Sequence, residues 1–175
     1  MENQKALLAV IEKCTGCNRC VYACSAVKEG CFIPSLSRIK INNFPLEGFS
    51  APSVCFQCPK PECFEACPEQ AIYKDGAGVV LVDRDKCDGC GDCVAACPYG
   101  MIEQYPDTGR AFKCDLCGGE PACVTECQFG ALLFVEPDIE QKKLIGRQMK
   151  QRSAEGSAEA KRHNLGRNLM TEIRV

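Results

Sequence analysis

Sixteen of the chain's seventeen cysteines fall into four short runs of four, and no other feature of the 175 residues constrains the fold as strongly. Cys14, Cys17, Cys20 and Cys24 are spaced C-x2-C-x2-C-x3-C. Cys55, Cys58, Cys63 and Cys67 are spaced C-x2-C-x4-C-x3-C, with Pro68 following. Cys87, Cys90, Cys93 and Cys97 repeat the first spacing, with Pro98 following. Cys114, Cys117, Cys123 and Cys127 are spaced C-x2-C-x5-C-x3-C. Cys31 stands outside every run and reads as a small buried apolar residue.

Three thiolates two residues apart on a loop of small residues can converge on three irons of one cubane. The fourth, three residues on, begins a helix that points away and serves a second cluster. Gly16 and Gly89 suit such loops, because backbone N–H groups must turn inward toward sulfide. Four runs therefore predict four [4Fe-4S] clusters. Structural zinc prefers two C-x2-C pairs with a longer insert, which the two regular runs fit poorly. Disulfides between thiols so close in sequence would be strained.

The compartment reading agrees. The apolar stretch at residues 6–11 is too short for a signal h-region, and Cys14 follows at once. No run of 18 apolar residues occurs, so no membrane-spanning helix and no direct membrane insertion are expected. A cytoplasmic location with reduced thiols follows, although a subunit can also be exported on a partner that carries the signal. A net charge of −2, with no aromatics interleaved among the basic residues, argues against nucleic acid. No G-x-G-x-x-G or Walker loop is present for flavin, NAD or nucleotide. With four cysteines for every cluster, no iron stands open to substrate. The chain reads as non-catalytic, with no catalytic residues.

Between the runs the pattern predicts an α+β fold of short hairpins and short helices. Residues 38–41 alternate as a strand. Residues 71–73 and 79–82 make a hairpin about a turn at 74–78, and 101–103 pairs with 111–113. Residues 131–135 form a closing strand beside 7–11, and short helices start after each fourth cysteine. Residues 1–136 form the cluster domain and 137–175 a polar arm. In the arm, 139–149 is an amphipathic helix and 153–157 a flexible joint. Leu165, Leu169, Met170 and Ile173 are the apolar contacts it offers a partner subunit, and the lone His163 lies at the surface. Arg19 and Lys60, inside cluster loops, either raise the potential of the nearest cluster or are merely exposed.

The runs from Cys14 to Cys127 resemble the four-cluster ferredoxin-type electron-transfer subunits of molybdenum and tungsten oxidoreductases, and of some hydrogenases and carbon monoxide dehydrogenases. The resemblance implies two nested bacterial-ferredoxin-like halves, the first run paired with the fourth and the second with the third. It implies clusters on Cys14, Cys17, Cys20 and Cys127; on Cys114, Cys117, Cys123 and Cys24; on Cys55, Cys58, Cys63 and Cys97; and on Cys87, Cys90, Cys93 and Cys67. Ser25 and Gln128 stand where a proline often follows. The opening through Ser25, with Glu29-Gly30 and residues 34–41, is similar to small subunits of aldehyde ferredoxin oxidoreductase-type tungsten enzymes and related benzoyl-coenzyme A reductase complexes. The implied partners are a large tungsten- or molybdenum-pterin catalytic subunit and a flavin or ferredoxin carrier, in a hetero-oligomer. The alternatives are a subunit of a hydrogenase, formate dehydrogenase or carbon monoxide dehydrogenase, or a free soluble ferredoxin.

Overall fold

A computed structural model describes residues 5–174, with side chains described through Glu172. Eight short strands pair only as two-stranded antiparallel ribbons: β1 (Ala6–Ala9) with β8 (Leu132–Val135), β2 (Lys40–Phe44) with β3 (Phe49–Ser53), β4 (Ile72–Lys74) with β5 (Val80–Val82), and β6 (Ile102–Gln104) with β7 (Ala111–Lys113). The three ribbons predicted by alternation form with Leu8 opposite Leu133, Tyr73 opposite Leu81 and Glu103 opposite Phe112. Such ribbons are marginal alone and must lean on something else.

The β2–β3 ribbon departs from the sequence expectation. Its first strand begins at Lys40 rather than at residue 38, and β3 has no strand signal because it carries Pro52, opposite Ile41. In a two-stranded ribbon every strand is an edge, where a missing N–H is tolerated. Phe44 and Phe49 close the ribbon with rings stacked 4.4 Å apart.

The helices α1 (Arg19–Glu29), α2 (Glu62–Glu65), α3 (Asp92–Ala96) and α4 (Ala122–Thr125) correct another expectation. Each begins before the third cysteine of its run, not after the fourth. Cys20, Cys63, Cys93 and Cys123 lie inside these helices. Cys24 is still within α1, Cys97 caps α3, and Cys67 and Cys127 follow α2 and α4 by two residues. The C-x3-C spacing is an i, i+4 relation, which stacks two side chains on one helical face. A helix spanning that interval therefore presents both sulfurs on one side. α1 packs against α4, and α2 against α3.

α5 (Ile139–Lys150) forms as predicted, with a capping box: Asp138 Oδ1 accepts from Gln141 N at 2.8 Å, and Asp138 N donates to Gln141 Oε1 at 3.0 Å. Its buried Gln148 donates to Ala9 O at 2.8 Å, and Tyr99 Oη donates to Met149 O at 2.8 Å. The arm is not free. α6 (Ala158–Arg174) folds back and buries Leu165 and Leu169 against Ile11, Phe44 and Ala51 of its own chain. Those leucines sit four residues apart on one helix face, and the β2–β3 ribbon offers the apolar surface they need. The expectation that they serve a partner is thus overturned, and the side chain of Ile173 lies outside the described residues. The proposed joint is tied down as well: Ser153 N donates to Pro98 O at 3.1 Å. His163 lies half-buried against Phe44, with ring centroids 4.4 Å apart.

Candidate metal centres

Each run's loop takes backbone conformations that turn amides inward. Asn18, Gln57, Leu116 and Cys117 all have left-handed φ, at 61°, 49°, 57° and 51°. At Gly89 (φ 84°) a Cβ would stand 2.9 Å from Gly109 O, so only glycine fits where that loop passes the β6–β7 turn. Amides already reach three sulfurs: Arg38 N to Cys24 Sγ at 3.2 Å, Met101 N to Cys97 Sγ at 3.4 Å, and Ala111 N to Cys87 Sγ at 3.3 Å.

The thiols that face one another come from different runs. Burial pushes Cys20 up to about 12, and the like charges of Cys14, Cys127 and Cys17 add to it. Burial also raises Cys14, with Cys17 and Cys127 again contributing. Cys123 is pushed to about 12 by burial and then by Cys24, Cys117 and Cys20. Cys58 and Cys63 rise to about 12 by burial, with Cys55 and Cys97 as neighbours. Cys93 rises to about 12 by burial, then by Cys87, Cys67 and Cys90. Cys114 is raised chiefly by burial, with Cys55 the nearest like charge and Cys123 further off. Two cavities show the same mixing of runs: one is lined by Cys14, Cys17, Cys20 and Cys127, another by Cys67, Cys87, Cys90 and Cys93.

The donor set suits cubanes. Among the described residues, no three His, Cys, Asp or Glu side chains converge closely enough to hold one metal ion. A cubane places each thiolate on a different iron, so its ligands stand wider apart than the four around zinc. Cys17 and Cys90 are exposed, whereas Cys20, Cys24, Cys55, Cys93, Cys97 and Cys123 are buried. Cys31 corrects the sequence reading, being exposed, with its thiol 3.4 Å from Glu29 O.

Of the two loop cations singled out from the sequence, Arg19 lines a cavity together with Cys14, Cys17, Cys20 and Cys127. Lys60 is exposed, and Arg19 pairs with Glu126 at 2.8 Å, fastening the first run to the fourth. Lys28 does the same with Asp115 at 2.6 Å. Burial opposes ionisation of Asp115, yet the Lys28 ammonium and the Cys117 N–H hold its carboxyl below the ordinary 3.8. The residues missed were the buried ones. Arg38 meets Glu29 and the Tyr105 hydroxyl, and Lys113 is buried beside Cys114. A cation placed directly before a ligand cysteine was the only signal available for Lys113.

Paired ribbons and short helices that carry sixteen cysteines in this arrangement define a ferredoxin-type iron–sulfur protein. The 4Fe-4S dicluster domain profile matches residues 46–137, and a 4Fe-4S binding domain profile matches residues 11–27. The chain belongs to the 4Fe-4S dicluster domain family. It is 43% identical over 124 residues to the polyferredoxin-like subunit of an aliphatic sulfonate oxidoreductase from Pyrococcus furiosus, covering 69% of this chain and 70% of that one. It is 35% identical over 150 residues to a thiosulfate reductase electron transfer subunit from Salmonella typhi, covering 77% of each. A tetrathionate reductase subunit from Archaeoglobus fulgidus is 41% identical over 124 residues, 67% of this chain but only 58% of that longer one.

Proposed function

We propose that the chain is a non-catalytic electron-transfer subunit that relays single electrons along four [4Fe-4S] clusters to or from a catalytic oxidoreductase subunit. The observation that carries this reading is the convergence of Cys14, Cys17 and Cys20 with the distant Cys127 in one cavity, and of Cys87, Cys90 and Cys93 with Cys67 in another. On it rest the ligand sets Cys14, Cys17, Cys20 and Cys127; Cys24, Cys114, Cys117 and Cys123; Cys55, Cys58, Cys63 and Cys97; and Cys67, Cys87, Cys90 and Cys93. The side-by-side packing of α1 with α4 and of α2 with α3 supports the same two nested halves.

Bound there, each cluster takes up and returns one electron. The residues do the rest. Cys20 and Cys24, at i and i+4 on α1, serve neighbouring sites, which keeps those sites a helical turn apart. The electrostatic influence of Cys20 on Cys123 and of Cys55 on Cys114 supports an order with the first and fourth runs at one end and the second and third at the other. Cys17 and Cys90 belong to the two outermost sites, and their exposure brings those sites to the surface where partners can reach them. Amides on Cys24, Cys87 and Cys97 sulfurs stabilise the more negative state and adjust potential.

For the catalytic partner we favour a tungsten- or molybdenum-pterin oxidoreductase of the aldehyde ferredoxin oxidoreductase type, on the strength of the likeness at Cys14–Ser25 and residues 34–41. The relatives named for thiosulfate and tetrathionate reductases favour a second reading, a partner acting on a sulfur oxyanion. If the arm meets that partner, it does so with its exposed cations, Lys142, Lys143 and Lys150, not with its leucines. Anaerobic purification of the tagged full chain from its native cells tests the reading. A co-purifying pterin enzyme whose substrate bleaches the cluster absorbance supports it. A chain recovered alone, and bleached by no such enzyme, is a free ferredoxin.

A further inference from the structure

Lys113 ends β7 directly before Cys114, and its side chain is buried, with 7% of the residue exposed. Its ammonium donates to Val80 O, to Cys114 O at 2.9 Å and to Gln57 Oε1 at 3.4 Å. Gln57 completes a knot, donating to Cys114 O at 2.8 Å and accepting from Val80 N at 2.9 Å. Gln57 is held there with a left-handed φ of 49°, an uncommon conformation for a residue with a Cβ. The knot ties the second run's loop, β5 and the fourth run together at the seam between the two halves.

A buried lysine normally has a carboxylate beside it, because an uncompensated buried charge is costly. Of the other buried cations, Arg38 meets Glu29 and Arg162 meets Glu103 at 2.7 Å, while Lys161 donates to Ala95 O and Cys97 O at the end of α3. Among the described residues Lys113 has no carboxylate within the 4.0 Å that defines such a pair. The groups beside it are cysteines instead: its ammonium bonds the Cys114 carbonyl, and its charge favours the ionised forms of Cys58, Cys63 and Cys114. Two of these belong to one ligand set and the third to the adjoining set, on opposite sides of the seam.

We propose that Lys113 is the counter-charge of the two inner clusters and sets their potentials above those of the outer two. The inference rests on the four ligand sets given above. Reduction adds negative charge to a cluster, so a fixed cation held in a poorly screened interior favours the reduced state of whichever clusters it faces. The outer sites, with their exposed ligands Cys17 and Cys90, have water and salt to screen them instead. Inner clusters of higher potential hold an electron at the middle of the chain until a partner at either end draws it out. Lys113 is a positioning charge; it is not itself a ligand.

The test is a redox titration of the loaded full chain followed by electron paramagnetic resonance, comparing the native protein, Lys113→Met and Lys113→Arg. In Lys113→Met, two of the four midpoints fall while two stay put. The reduced-to-oxidised ratio at fixed potential drops roughly tenfold at the affected sites, or about 59 mV for one electron. Lys113→Arg, which keeps the charge, restores them. Four unmoved midpoints, or four that move together, overturn the inference. If Lys113→Met loses iron, the comparison passes to content. Loss of two clusters that arginine restores upholds the counter-charge, whereas loss in both variants reduces Lys113 to a packing residue. A native chain holding fewer than four clusters sinks the ligand sets themselves, a different failure read before any variant is made.

Discussion

Cys24 shows what one residue decides. Its sulfur is buried in α1, accepts from Arg38 N at 3.2 Å and neighbours Cys123, although it is separated from Cys14 by only ten positions of chain. Cys24→Ser should therefore damage the same cluster as Cys114→Ser and leave the spectrum of Cys14→Ser distinct. If Cys24→Ser matches Cys14→Ser instead, the runs serve their own clusters and the nesting fails. Two glycines make a second residue-scale test with opposite signs. Gly100 has φ 63°, and a Cβ there would lie 2.1 Å from Ala158 O at the start of α6. Gly100→Ala should cost about 2–3 kcal/mol and lower the melting temperature on the order of 5–10 °C. Gly146, mid-α5 with nothing near its missing Cβ, should gain about 0.5–1 kcal/mol as alanine. Calorimetry of the two variants checks both, and equal shifts would contradict the packing. At this scale the ligands were legible because cluster chemistry fixes their spacing. Lys113 and Arg38 were not, since a cation's burial depends on what lies across the fold.

Among the elements, α6 carries the sharpest consequence. Its Leu165 and Leu169 contribute about 3–6 kcal/mol of transfer free energy before ordering costs. Lys161 also donates to Ala95 O at 2.8 Å and to Cys97 O at 3.1 Å, satisfying the carbonyls at the end of α3. Ending the chain at Pro137 should thus lower the melting temperature and weaken iron retention at the site that uses Cys97. Iron assay and thermal denaturation of the truncated chain decide it; unchanged values would mean that α6 is dispensable to the fold. The short apolar runs with turn residues between them made β4 to β7 legible, and the amphipathic pattern marked α5. β3 was hidden by Pro52. The helix starts were misplaced because α2, α3 and α4 are only four or five residues long and are stabilised by their thiols and by tertiary packing, with no propensity signal of their own. The docking of α6 was misread for a related reason: an apolar stripe reveals that it will be covered, not by which chain.

At the scale of the whole molecule, most buried apolar side chains among the described residues gather in three small groups, two of which include cysteines of the four runs. Such a fold gains stability from what its thiols bind, and its response to pH should reverse with loading. In the cluster-free chain, Cys20, Cys58, Cys63, Cys93 and Cys123 sit at about 12 against an ordinary 9.0, burial being the main cause. A folded value above the unfolded one means that the unfolded chain gives up its protons first. Stability is therefore whole below pH 9 and drains away as pH rises toward 12. The loaded protein runs the other way, since protons compete with iron for thiolate and acid should release the clusters. Circular dichroism melts should show the cluster-free form losing stability as pH rises from 9 toward 12 and the loaded form losing it as pH falls below 9; the same trend in both forms would contradict the account. The central claim, four cubanes on sixteen thiolates, is tested most directly by assaying metal and acid-labile sulfide in the anaerobically isolated full chain. The account predicts about sixteen iron and about sixteen sulfide per chain. Stoichiometric zinc with little sulfide would contradict it.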